Sequence, residues 1–391
     1  MIDVRQLKEA VKAGKEEYSR IRREFHRIPE LGMEEVETTE MICRYLERMG
    51  VVPHRLEPSG AFAYIGPETG FTIALRADID GLPVTEETGV KYASVHPGRM
   101  HACGHDGHTA VLLLAAKLLS RRRDQLAGKL VFLFQPNEEV AGAEEMVQQG
   151  ALEDPRPDAV CGMHLWTPLP TGVVGITPGP LMASSYYFKV TIHGVGGHGG
   201  APHTAINPID AAGHVLEAIK TFHTLEVDAL QPTVVSVCTI HGGENQIIVP
   251  EVLEMTGSIR CLHDQDEQVR QRFCQLVEGA CALYRCTARV EFTCGNTLLS
   301  NDPTLAALAD RVATQVVGEA HVQREGLRTM VGEDFAEFTR RVPGFFYFVG
   351  TGNPEKGTHV EHHSPRFMLD EDSLPIALEM QVRLALAYLA E

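Results

Sequence analysis

The stretch RMHACGHDGHTA, residues 99–110, gathers His101, Cys103, His105, Asp106 and His108 on one short turn. Thiolates and imidazoles are the side chains that hold zinc-like ions. Residues of similar potency recur further along the chain. Asp78 and Asp80 lie in RADIDGLP, Glu138 and Glu139 in QPNEE, His164 in GMHLW, and His359, His362 and His363 in GTGNPEKGTHVEHHSP. Cys103, His105, Glu139, His164 and His363 together offer one thiolate, three imidazoles and one carboxylate. That set is too large for a single four-coordinate catalytic ion with an open position. It suits two divalent ions about 4 Å apart that share a bridging group and a water. Two such cations outweigh one thiolate and one carboxylate, so the site should ionise a bound water and attract an anionic substrate. Glu138 and Glu139 are adjacent, and successive side chains on an extended backbone diverge. One can therefore grip an ion while its neighbour stays beside the water as a general base, and later as an acid for a leaving amine.

The elements that must position these groups read as an α/β layer. Residues 3–25 and 35–49 carry apolar side chains at helical spacing. FTIALRAD (71–78), KLVFLFQPNEE (129–139), DAVCGMHLW (158–166) and GFFYFVG (344–350) are apolar runs ending in polar tips. HTAVLLLAAKLLSRRRDQL (108–126) predicts an apolar helix, with further helices near 140–150 and 302–317. Strands alternating with helices imply a mainly parallel sheet, and ligands of such sheets sit at the carboxyl ends of the strands. The segment 184–296 breaks the pattern, with elements in the order β-α-β-β-α-β of a ferredoxin-like unit. The expected organisation is a discontinuous metal-binding domain, 1–183 and 297–391, with residues 184–296 inserted as a second domain.

Composition narrows the function classes. The 391 residues suit two domains, and 44% hydrophobic with 22% charged residues is ordinary for a globular protein. No apolar run is long enough to span a membrane, and the charged start does not read as a signal peptide, which points to the cytoplasm. A net charge of −17 speaks against nucleic acid and anionic membranes as partners. Nine scattered cysteines suggest reduced thiols rather than a disulfide framework. His96 and His101 read as surface or structural, Cys161 and Cys238 as packing, and the pairs Glu86-Glu87 and Glu144-Glu145 as solvated faces.

Taken together, FHRIPELGMEE, RADIDGLPVTEETG, MHACGHDGHTA, QPNEE, GMHLWTPLPTG, GGHGGAPHTAINPI, VGEDFAEF and EHHSPRF, spread over residues 25–367, carry a family likeness. The chain resembles the amidohydrolase branch of the aminoacylase and carboxypeptidase metallopeptidases, which includes hippurate hydrolase and the auxin-conjugate hydrolases. The resemblance implies that Cys103, His105, Glu139, His164 and His363 bind two divalent ions, zinc or manganese, with cobalt and nickel as alternatives. It implies that Glu138 is the catalytic base, and that Asp78, whose usual histidine partner is replaced by Arg76, orients a ligand rather than being one. The inserted domain would be a lid and the surface of a homodimer or homotetramer. His198 would polarise the scissile carbonyl from the neighbouring subunit, and Arg260 would hold the substrate carboxylate. Relatives often carry asparagine three residues before the proline matching Pro250; here that position is Ile247 and the nearest asparagine is Asn245, left as a candidate substrate contact. The implied reaction is hydrolysis of N-acyl-L-amino acids to a carboxylic acid and an amino acid, with a dipeptidase or carboxypeptidase as the alternative.

Overall fold

In the computed structural model, which describes residues 4–390, the four strands expected to carry the chemistry lie side by side. Their order is Lys129–Gln135, Thr72–Asp78, Ala159–Pro170, Gly344–Gly352, all parallel. Two of them, TIALRAD and KLVFLFQ, are buried at every residue. A strand covered on both faces has no wet side, so its sequence runs apolar instead of alternating. Short strands extend this sheet to eight. Ala61–Ile65 and Pro53–Arg55 add antiparallel at one end; at the other, Val174–Gly175 adds antiparallel and Val322–Gln323 pairs parallel with it. These edge strands are too short to stand out from loop in the sequence.

Two compact units divide the chain: Met1–Gly179 with Ser300–Leu327 and Asp334–Glu391, and Pro180–Leu299 with Arg328–Glu333. The segment Arg328–Glu333, assigned from sequence to the metal-binding domain, goes with the second unit. The first unit buries the aliphatic face of its long helices, His105–Ser120 and Leu374–Tyr388, in a core with Leu75, Phe132 and Phe134. The second unit is a four-stranded antiparallel sheet in the order Thr233–His241, Val252–Cys261, Ser184–His193, Thr287–Cys294. Its helices, Pro208–Leu225 and Asp266–Leu283, share a core with Phe188, Met255 and Phe273. Numbered within the unit, the strand order is 4-1-3-2, that of a ferredoxin-like sheet. None of the described helices is long and apolar enough to cross a membrane.

Two local expectations change. The helix expected over 3–25 is two, Val4–Ala13 and Lys15–His26, with residue 3 outside the described residues. The break is at Gly14, where a Cβ would come within 2.7 Å of the Tyr18 ring. Periodicity runs across such a break unseen, because the apolar face continues on both sides. The helix expected over 108–126 begins earlier, at His105, and stops at Ser120, with a 3-10 turn at Arg123–Gln125.

Candidate metal centre

The parallel strands deliver their tips to one place. Asp78 and Gln135 are register partners at the ends of neighbouring strands, and His164 is level with Phe348 on the next pair. Gly104, at φ 93°, turns the chain between Cys103 and the helix that starts at His105. Glycine adopts that backbone without the steric cost a Cβ would add. On the far side, the strand Gly344–Gly352 runs into the loop holding His363, a non-glycine residue at φ 64°. The His363 N–H donates to the Ala102 carbonyl (2.8 Å), which ties that loop to the Cys103 turn.

The five donors named from the sequence converge. Cys103, His105 and His164 bring one ligand atom each within 4.8 Å of one another, and so do Cys103, Glu139 and His363. Cys103 is common to both groups. Its Sγ lies 3.4 Å from His164 Nε2, while Glu139 Oε1 lies 3.3 Å from His363 Nε2. Ligand atoms held at about 2.0–2.3 Å from one tetrahedral ion stand roughly 3.3–3.8 Å apart, so these spacings fit shared cations. Two buried atoms of the set, His105 Nε2 and Glu139 Oε1, have no hydrogen-bond partner among the described residues. His105 Nε2 instead faces Asp78 Oδ2, Glu138 Oε2 and Glu139 Oε1 at 3.8, 3.9 and 3.9 Å. These gaps are too long for hydrogen bonds and have room for an ion. An orphaned nitrogen ringed by carboxylate oxygens fits a cation better than it fits a closed hydrogen-bond network.

The tautomers agree with ligation. His164 Nδ1–H donates to the Leu165 carbonyl (2.9 Å), leaving Nε2 with its lone pair towards Cys103. Burial, reinforced by His108 and His362 nearby, holds this imidazole well below its usual pKa, hence neutral. Burial also lowers His105, but Asp78 and Asp80 outweigh it and raise the ring to about 10 in the metal-free protein. Filling the site would oppose that protonation, since a metal and a proton compete for the same nitrogen.

Several residues take roles that the sequence did not resolve. Glu138 and Glu139 are not on extended backbone. They open the 3-10 turn Glu138–Val140 after Asn137 at φ 57°, so both carboxylates reach His105 instead of diverging. What separates them is the reach of Glu139 to His363 and Cys103. Asp78 is fully buried and accepts from His108 Nδ1 (2.6 Å) and Arg76 Nη1 (2.7 Å). It therefore orients His108, whose Nε2 accepts from Leu165 N (2.9 Å) next to the candidate donor His164. Arg76 is held on its other sides by Gln135 Oε1 (2.7 Å) and Asp334 Oδ1 (3.0 Å). Of the acidic pairs, Glu86 is not solvated. Though burial raises it, donors from His26, Ser94 N and Thr88 bring its carboxyl down to about 2. His101 is buried, with Nδ1 on the Asp80 carbonyl (3.1 Å), and Cys238 is exposed instead of packed. Asp80 and Glu35, given no role from sequence, both hold the glutamate turn. The only signal was their place in RADIDGLP and FHRIPELGMEE.

In the second unit, His198 is exposed on the strand Gly197–His198, paired with Ile248–Val249, and not on an open loop. Its Nδ1 accepts from Gly200 N (2.9 Å), which places the proton of the neutral ring on Nε2. Asn245 accepts from Ile247 N (3.0 Å), and the Ile247 carbonyl accepts from Gly199 N (2.8 Å). Asn245 and Ile247 thus shape the turn beside His198. Arg260 lies on the strand Val252–Cys261, with Nη1 donating to the Met330 carbonyl (3.1 Å).

Comparison with known proteins gives a consistent picture. The family model described as peptidase family M20/M25/M40 matches residues 74–387. The chain is 38% identical over 376 residues to N-acetylcysteine deacetylase of Bacillus subtilis (strain 168), covering 94% of this chain and 96% of that protein. It is 35% identical over 396 residues to thermostable carboxypeptidase 2 of Saccharolobus solfataricus, covering 98% of each. Among solved structures, the YXEP protein of Bacillus subtilis, a dinuclear metal-binding peptidase from the M20 family, superposes with a TM-score of 0.85 at 34% identity, covering 97% of this chain and 99% of that one.

Proposed function

The chain belongs to peptidase family M20/M25/M40, and from that premise we propose that it hydrolyses the amide bond of N-acyl-L-amino acids at a two-cation centre. The observation that carries this reading is that Cys103 belongs to two donor groups, one completed by His105 and His164 and the other by Glu139 and His363. Zinc or manganese suits this mixture of thiolate, imidazole and carboxylate. Two such ions, when bound, would polarise a substrate carbonyl and lower the pKa of water.

The remaining work falls to the chain. Glu138, nearly buried and beside His105, takes the proton from the attacking water and returns it to the leaving amine nitrogen. Arg76 and His108 hold Asp78 in place beneath the ligands. His198, with its proton on Nε2, is suited to donate to a carbonyl oxygen. In this reading it acts from a partner subunit, with the second unit as lid and dimer surface. Arg260 pairs with the substrate carboxylate, and Asn245 shapes the adjoining turn. The assembly would be a homodimer or homotetramer in the cytoplasm, in keeping with nine unbridged cysteines.

N-acetylcysteine deacetylase, among the relatives, supports an N-acyl-amino acid. Thermostable carboxypeptidase 2 keeps a second reading alive, cleavage of peptides at the same centre. A free α-amino group on the substrate would call for an acidic partner in the pocket. Turnover of acetyl-methionine and hippurate against a dipeptide panel, with metal content measured on the same protein, separates the two. Cleavage confined to dipeptides would overturn the N-acyl reading.

A further inference from the structure

The turn that carries both working glutamates is gripped by two buried carboxyl groups from outside it. Asp80, 1% exposed, accepts through Oδ1 from His105 Nδ1 (2.9 Å), which its backbone carbonyl shares (3.0 Å), and through Oδ2 from Glu139 N (3.0 Å). Glu35, fully buried, accepts through Oε1 from Asn137 N (2.7 Å) and through Oε2 from the Ser59 hydroxyl (2.6 Å). Asn137 itself sits at φ 57°, in the left-handed region that asparagine tolerates better than most non-glycine residues. Nothing in the chemistry assigned so far uses Asp80 or Glu35.

We propose that Asp80 is the positioning residue of the centre: a single carboxylate fixes His105 of one donor group and Glu139 of the other, and so sets the spacing of the two cation positions, while Glu35 locks the same turn from its other end. The inference rests on the two-cation reading. Both oxygens of Asp80 face N–H groups, so only a carboxylate satisfies both at once. An asparagine must turn its amide to one of them. Turned to Glu139, it sets two donors face to face and the turn is pushed away. Turned to His105, it sets its amide N–H against the Nδ1–H that the backbone carbonyl of the same residue also accepts (3.0 Å), and the ring is pushed from its place. Either way a ligand is lost or displaced, although the side chain keeps its shape. Glu35 differs: a glutamine there still accepts from Asn137 N with its oxygen, and its amide can donate to the Ser59 hydroxyl.

The test is metal binding. Wild type, Asp80→Asn, Glu35→Ala and Glu35→Gln would each be equilibrated with zinc in a chelator buffer and their bound metal counted. Folding would be checked by near-ultraviolet circular dichroism. Asp80→Asn should lose affinity for both ions together, by about 10–100-fold, the cost usual when an outer partner of a ligand is removed. Glu35→Ala should weaken binding and Glu35→Gln restore it. Asp80→Asn binding two ions with wild-type affinity would overturn the proposal, as would loss at only one position. If Asp80→Asn does not fold, the Glu35 pair decides, and Glu35→Ala matching wild type overturns it. Wild type binding fewer than two ions would instead sink the two-cation reading, and this inference with it.

Discussion

Arg76→Met should destabilise the first unit by about 3 kcal/mol at neutral pH, and by much less in acid. Arg76 lies in a fully buried strand and neutralises two carboxylates, Asp78 at 2.7 Å and Asp334 at 3.0 Å, while donating to Gln135 at 2.7 Å. Methionine keeps most of the length and removes the charge. Breaking a buried ion pair from one side typically costs about 3–5 kcal/mol, because the remaining charge is left in a poor solvent. The lower end applies here, since Asp78 keeps His108 (2.6 Å) and Asp334 keeps Gln135 and Ala143 N. Burial raises the Asp78 carboxyl, but His105, His108 and Arg76 outweigh it and hold it well below its ordinary value. A carboxyl depressed on folding adds stability above its unfolded pKa and loses it as the pH falls towards the folded value. The variant forfeits part of that stability, so its deficit should be full at pH 7 and shrink below about pH 4, near the ordinary aspartate pKa. The assay is urea unfolding of metal-free protein followed by Trp166, the only tryptophan, which lies in the first unit and stacks on Phe348 at 4.7 Å. With a urea slope of about 3 kcal/mol/M, the midpoint should fall by roughly 1 M. A shift under about 0.3 M, or a deficit as large well below pH 4 as at pH 7, would refute the assignment of Arg76 as the counter-charge.

Glu138→Gln should lower kcat by about 10²–10⁴-fold with bound metal unchanged, as read by steady-state kinetics alongside metal analysis. Unaltered turnover would remove Glu138 as the base. Cys103→Ala, which strikes both donor groups, should abolish binding of both ions, whereas His363→Ala should spare the Cys103, His105 and His164 group; equal losses in the two variants would count against a shared thiolate. Glu35 is raised to about 7 by burial, with Asp80 adding to it against the hydrogen bond from Ser59. Because its folded pKa lies above the unfolded value of 4.5, folding stability should fall as pH rises from about 4.5 to 7. In metal-free protein, the stability of Glu35→Gln relative to wild type should therefore climb across that window by about 2 kcal/mol, and a flat difference would contradict the raised pKa.

Much of this protein was determined by sequence alone, for a physical reason that differs from element to element. TIALRAD and KLVFLFQ are continuous apolar runs because strands covered on both faces have no alternative. The second unit announced itself through six elements of ordinary length in ferredoxin-like order. The candidate donors were legible as a set because thiolate, imidazole and carboxylate side chains at strand ends are rarely placed there for packing. Only the tertiary structure decided which groups stand behind them. That Asp80 spans His105 and Glu139, that Glu35 reaches Asn137 from 102 residues away, and that the glutamate pair rides a 3-10 turn all depend on contacts between distant segments. Side-chain type fixes what a residue can bind, but the direction of a lone pair is set by the backbone that neighbouring segments hold in place.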